Sequence, residues 1–114
     1  MKKSLFLSLL LTFLTTFNAW SQQSFRFHDG KFRIAQFTDI HWDAKSANCK
    51  QTSTIIQNVI QTEKPDIAIL TGDIVTEQPA AEGWKSIIQI FENSHLPFVV
   101  VMGNHDAEVM SKKE

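Results

Sequence analysis

The sequence predicts an α/β fold built on a parallel βαβαβ sheet. Three short apolar runs, at residues 34–38, 67–70 and 98–102, alternate with two segments of helical periodicity. Such alternation implies parallel strands joined by right-handed crossovers. A further observation places the chemistry. Each apolar run is followed at once by groups able to bind a cation: Asp39-Ile40-His41, Gly72-Asp73 and Gly103-Asn104-His105-Asp106. In open α/β sheets the carboxyl ends of the strands meet at one edge, where ligands bind.

The chain opens with Lys2 and Lys3, then an apolar stretch over residues 4–17 that is short for a bilayer span. Ala19-Trp20-Ser21 offers small residues at the spacing of a signal-peptidase site. A signal peptide over residues 1–21 is expected, leaving Gln22 first and the protein exported, periplasmic or secreted. The alternative is an uncleaved anchor. Cys49 is the single cysteine, so no internal disulfide can form and the exported fold must rest on its core or on metal.

Phe25-Arg26-Phe27 and Phe32-Arg33-Ile34 alternate on either side of His28-Asp29-Gly30. An Asp-Gly pair between alternating runs signals a hairpin. Its second arm continues to Thr38 as the first central strand. Residues 52–63 predict a helix, with Ile55, Ile56, Val59 and Ile60 on one face. Thr52 or Ser53 can cap its start, and Pro65 stops it. The unbroken run at 67–70 suits a strand covered on both faces.

Residues 80–94 predict a second helix, with Trp84, Ile87, Ile88 and Phe91 as its apolar stripe. Gly83 weakens that helix by about 1 kcal/mol relative to alanine. Pro97 leads into the last buried strand, 98–102. Ser111-Lys112-Lys113-Glu114 then matches a capping box, which normally precedes an apolar helical face. Residues 22–114 therefore read as the N-terminal portion of a truncated domain.

Composition narrows the function classes. The chain has 11 basic and 12 acidic side chains, a formal net charge of -1. That balance gives no electrostatic footprint for nucleic acid or an anionic membrane surface. The three clusters are more informative. Asp39 and His41, two residues apart on a loop, can turn to one side and bind a cation such as Zn, Mn or Fe. Gly72 lets the backbone turn sharply before Asp73, whose two oxygens can reach two cations. Asn104 offers an uncharged amide oxygen. A protonated His105 can hand its proton to a leaving oxygen, and Asp106 can hold that ring and favour its charged form. Taken singly, each cluster also fits a solvated loop or an Asx-type turn. His28 and His95 read as surface residues, Cys49 as a partly buried thiol, and Trp42 and Asp43 as loop packing or the mouth of a site.

As a set, in this order and about one crossover unit apart, the clusters resemble the calcineurin-like metallophosphoesterase family, whose signature runs D-x-H, G-D and G-N-H-[DE]. The resemblance covers residues 34–106. It implies the N-terminal half of a four-layer α/β/β/α metallophosphoesterase sandwich and hydrolysis of phosphoesters at a dinuclear centre with a bridging hydroxide nucleophile. Two divalent or trivalent ions (Mn, Fe or Zn) are implied as cofactors. Asp39 and His41 would bind the first, Asp73 would bridge, Asn104 would bind the second, His105 would act as the acid and Asp106 as its partner. The substrate would be a phosphoester, with no stable membrane anchor. The family's later Gly-His and Gly-His-x-His clusters do not occur here. Thr76 stands where the purple acid phosphatase branch carries a tyrosine, and the chain has no Tyr. The run from Phe32 to His41 looks most like the yeast Dcr2-type phosphatases and their bacterial relatives. A non-catalytic α/β binding module and an inactive truncated fragment are the competing readings.

Overall fold

The computed structural model describes residues 25–110. The expected signal peptide and the capping box at 111–114 lie outside the described residues. Strands Ile34–Phe37 (β1), Ile67–Thr71 (β2) and Phe98–Val101 (β3) pair in parallel in the order β1-β2-β3. Helix α1 (Cys49–Glu63) joins β1 to β2, and helix α2 (Ala80–Asn93) joins β2 to β3. The predicted βαβαβ unit is present. Its centre is β2, however, and β1 lies at an edge of the described sheet.

Register explains the core. Phe37 lies opposite Leu70, and Leu70 opposite Val100, so one face carries Ala35, Phe37, Ala68, Leu70, Phe98 and Val100. Both helices cover that face at its centre, but Val100 stays exposed, so β3 is not the buried strand expected. Ile56 and Ile60 of α1 and Trp84, Ile87, Ile90 and Phe91 of α2 join Ala68 and Leu70 in the buried cluster. The Phe91 ring lies 5.6 Å from Phe37 and 5.4 Å from Phe98, measured between centroids. One helical aromatic thus links the two outer strands across β2. On the opposite face Ile34, Val99 and Val101 are exposed, and Ile67 and Ile69 are half-buried. The expectation that β2 is covered on both faces holds for one face among the described residues.

Element ends show where local chemistry differs from the pattern. The Asp-Gly turn forms as expected: Asp29 and Gly30 have φ of 52° and 72°, and His28 and Lys31 exchange two backbone hydrogen bonds. The hairpin arms do not extend beyond that bridge. Instead Phe25 and Phe27 lean on Phe32 and stay exposed. Helix α1 starts at Cys49, ahead of the expected Thr52 or Ser53 cap, and Asn48 at its N-cap makes no side-chain hydrogen bond. A turn delivers the chain there: the Asp43 carboxylate accepts from Lys45 N, and the Ser46 hydroxyl from Asn48 N. Of the expected apolar face, Ile56 and Ile60 are buried while Ile55 stays exposed. The helix ends before Pro65 as predicted, with Lys64 as a left-handed C-cap at φ 47° whose N–H bonds Ile60 O.

Gly83 has a reason that helix propensity does not supply. A Cβ there would lie 2.7 Å from Val75 Cγ1 and 3.4 Å from Trp42 Cδ1. Val75 and Trp42 belong to the loops that leave β2 and β1. The absent side chain therefore lets α2 approach the edge that carries the candidate residues. Trp42 is accordingly a core residue and does not line an open mouth. Gly83→Ala should destabilise the protein by about 1–3 kcal/mol through overpacking, although alanine favours a helix by about 1 kcal/mol. Denaturant unfolding checks this; a raised midpoint would show that Val75 moves aside freely.

Candidate metal centre

Pairing between the chain segments continues past the ends of β1 and β2. Asp39 N donates to Gly72 O (3.0 Å), His41 N to Asp73 O (3.0 Å) and Trp42 N to Ile74 O (2.8 Å). A parallel bridge between Trp42 and Val75 closes this extension. The first two motif loops thus run side by side as an irregular prolongation of the sheet. The irregularity lies at the motif residues themselves. Asp39, His41 and Asp73 have φ of 51°, 49° and 51°. The left-handed region costs an ordinary L-residue roughly 1–2 kcal/mol and is eased for aspartate by local hydrogen bonding. Strain of this kind gathers at ligand clamps and active sites.

The strained turns bring three donors together. One ligand atom from each of Asp39, His41 and Asp73 lies within 4.8 Å of the others. Asp39 Oδ1 is 3.8 Å from His41 Nε2, and the Thr38 hydroxyl donates to Asp39 Oδ2. Two carboxylates and an imidazole suit Zn, Mn or Fe. Asp39 and His41 are exposed, so the group is open to a ligand.

The third loop joins through two glycines. A Cβ on Gly72, whose φ is +98°, would come within 3.0 Å of Gly103 Cα. A Cβ on Gly103 would fall 2.3 Å from Asp73 Oδ1. That close approach lets Asp73 Oδ1 accept the backbone N–H of His105 at 3.1 Å. It also opens a short helix that the sequence pattern did not foresee, Asn104–Val109 (α3). Asn104 is its first residue, exposed and next to the amide that Asp73 holds. The His105 ring lies 6.0 Å from that of His41, centroid to centroid. His28 and His95 precede β1 and β3, at the other end of the strands, and do not extend the group.

Asp106 departs from its expected role. It is fully buried. Its Oδ1 accepts from Ile74 N and Val75 N, and its Oδ2 from Gly103 N, each at 2.8 Å. The carboxylate folds back on the start of its own helix, as an acid at the third helical position does in a capping box, and so does not hold the His105 ring. Glu108 does: its Oε2 lies 2.9 Å from His105 Nδ1. Residues three apart on a helix are neighbours. The hydrogen bond to Glu108, followed by that residue's charge, raises the His105 pKa above 6.5; Asp73 and Asp106 add smaller contributions of the same sign. The signal for Glu108 was its spacing from His105, legible only once a helix is known to begin at Asn104.

Asp106→Ala would strand three backbone N–H groups, two of them in a buried setting. At about 1–3 kcal/mol for each buried unsatisfied donor, the expected loss of stability is about 2–6 kcal/mol. Chemical denaturation of the variant measures it. An unchanged midpoint would mean that water replaces the carboxylate.

The model of the calcineurin-like phosphoesterase family matches residues 32–114. Among curated relatives, the Arabidopsis thaliana protein named "Probable inactive purple acid phosphatase 29" is 32% identical over 92% of this chain and 32% of its own length. A second from that plant, "Probable inactive purple acid phosphatase 14", is 30% identical over 78% of this chain and 27% of its own. "Phosphatase DCR2" of Saccharomyces cerevisiae is 26% identical over 70% and 17% respectively. The chain thus spans about a third or less of the length of these relatives. No solved structure matches it. The family match takes in all three motif loops and the sheet that carries them, and on that ground the chain belongs to the calcineurin-like phosphoesterase family.

Proposed function

We propose that these residues form part of an exported enzyme that hydrolyses phosphoesters with two metal ions, Mn, Fe or Zn, held where the three loops meet. The observation that carries this reading is the convergence of Asp39, His41 and Asp73 within 4.8 Å at the ends of two adjacent parallel strands. Asp39 and His41 would hold one cation, Asp73 would serve both, and Asn104 would serve the second. The cations, when bound, offset charge on the phosphoryl oxygens and activate the attacking water.

The protein's own contribution is placement and a proton. Asp73 has one oxygen tied to the His105 amide, so its carboxylate is fixed before any ligand arrives. His105, one residue after Asn104, is placed to protonate the leaving oxygen. Its raised pKa keeps the ring charged to a higher pH than an ordinary histidine. Asp106 acts on neither substrate nor proton; it fixes the loops that carry Asp73 and Asn104. Two relatives whose names describe them as inactive favour a second reading, a non-catalytic α/β binding module on the same scaffold.

Two substitutions in the full-length protein separate these roles. Asp73→Asn keeps the shape and removes the charge shared between the ions, so metal content and turnover should fall together. His105→Asn should leave metal content intact while turnover drops ~100-fold or more, the scale of losing a general acid. That loss should be smaller for aryl phosphates, whose leaving groups need little protonation. Elemental analysis beside rates on aryl and alkyl phosphates decides. Metal loss in His105→Asn would make that residue a ligand. Metal binding by the unaltered protein with no turnover of either ester would favour the binding module.

A further inference from the structure

We infer that Glu108 is a positioning residue for His105, fixing the orientation of its ring and the tautomer it adopts. This rests on the reading of His105 as proton donor, but the contact itself is independent of that reading. Glu108 Oε2 lies 2.9 Å from Nδ1. Asp106, the other acid beside His105 in sequence, is committed to three backbone amides and faces the interior. Among the described residues, Glu108 is thus the carboxylate that meets this ring.

The helix fixes the pairing. His105 sits in the first turn of α3 with its own N–H held by Asp73, so its backbone cannot rotate away from the metal group. Glu108 stands three residues later on the same side of the helix. A carboxylate accepts only, so the nitrogen facing it must carry hydrogen. The neutral ring is then protonated on Nδ1, and Nε2 is the nitrogen left for an incoming ligand. In the charged ring, the Nε2 proton is the one transferred: it passes to the leaving oxygen, and the ring remains neutral with Nδ1–H still on Glu108. Without Glu108 the tautomer is unassigned and the ring turns more freely.

Nitrogen-15 spectra of the neutral His105 ring in the metal-free full-length protein test the contact. The unaltered protein should show the Nδ1–H form. Glu108→Ala should move the signals toward the Nε2–H form, and Glu108→Gln, whose amide oxygen still accepts, should restore them. In the metal-loaded protein, Glu108→Ala should lower kcat on an alkyl phosphate ~10-fold, the scale for losing the partner that orients a functional histidine, with KM and metal content unchanged. The aryl phosphate rate should move far less, and Glu108→Gln should recover most of the loss. Nitrogen signals unaffected by Glu108→Ala would overturn the assignment, as would an alkyl rate that does not change when they shift. An unaltered protein that cleaves neither ester would remove the phosphoesterase reading, while the nitrogen spectra still decide the role of Glu108.

Discussion

The carboxylate of Asp106 lies beyond the reach of solvent, and three backbone N–H groups converge on it. Two come from the loop after β2 and one from the turn after β3. The loop after β2 in turn accepts, through its carbonyls, the amides of Asp39, His41 and Trp42 from the loop after β1. The three motif loops therefore form one hydrogen-bonded unit with a charged group at its root. Irregular backbone inside a protein must find partners for its amides. Here a side chain supplies what sheet and helix cannot, and the loops are free to leave regular geometry where the candidate ligands need it.

Packing serves the same end from two sides. Gly72 and Gly103 bring two loops to a separation that no Cβ would allow, which places Asp73 against the start of α3. On the other side, Gly83 admits Val75 and Trp42 against α2. The apolar core and the polar edge share those loops: Ile74 and Val75 are fully buried, while Asp73 beside them joins the candidate ligand cluster. A change in helix packing would thus be felt at the ligands without touching them.

Much of this was legible in the sequence because it depends on period and on chain-breaking residues. The apolar runs ending at Asp39, Gly72 and Gly103 gave the strands, and Pro65 marked the end of α1. The convergence of Asp39, His41 and Asp73 follows from parallel topology, which makes neighbours of strand ends distant in sequence. What remained hidden depends on direction within a turn. Nothing in Gly103-Asn104-His105-Asp106 says that the aspartate folds back to the amides, because that is decided by a helix only six residues long. Reading Asp106 as the partner of His105 and passing over Glu108 are two sides of that omission. The cost assigned to Gly83 was correct locally and incomplete globally, since the contact that requires it comes from a loop near Val75.

The left-handed backbone at Asp39 and Asp73 bears on how such a protein can change. Asparagine and glycine adopt that conformation as readily as aspartate does. Replacing either aspartate by one of them would remove a charge from the edge and leave the chain's path intact, so descent with loss of chemistry is structurally easy at these two positions. Asp106 offers no such route, because its charge and shape are used by the scaffold. A lineage can therefore stop binding metal while keeping its architecture, and the retained acid would then record ancestry while saying nothing of present activity.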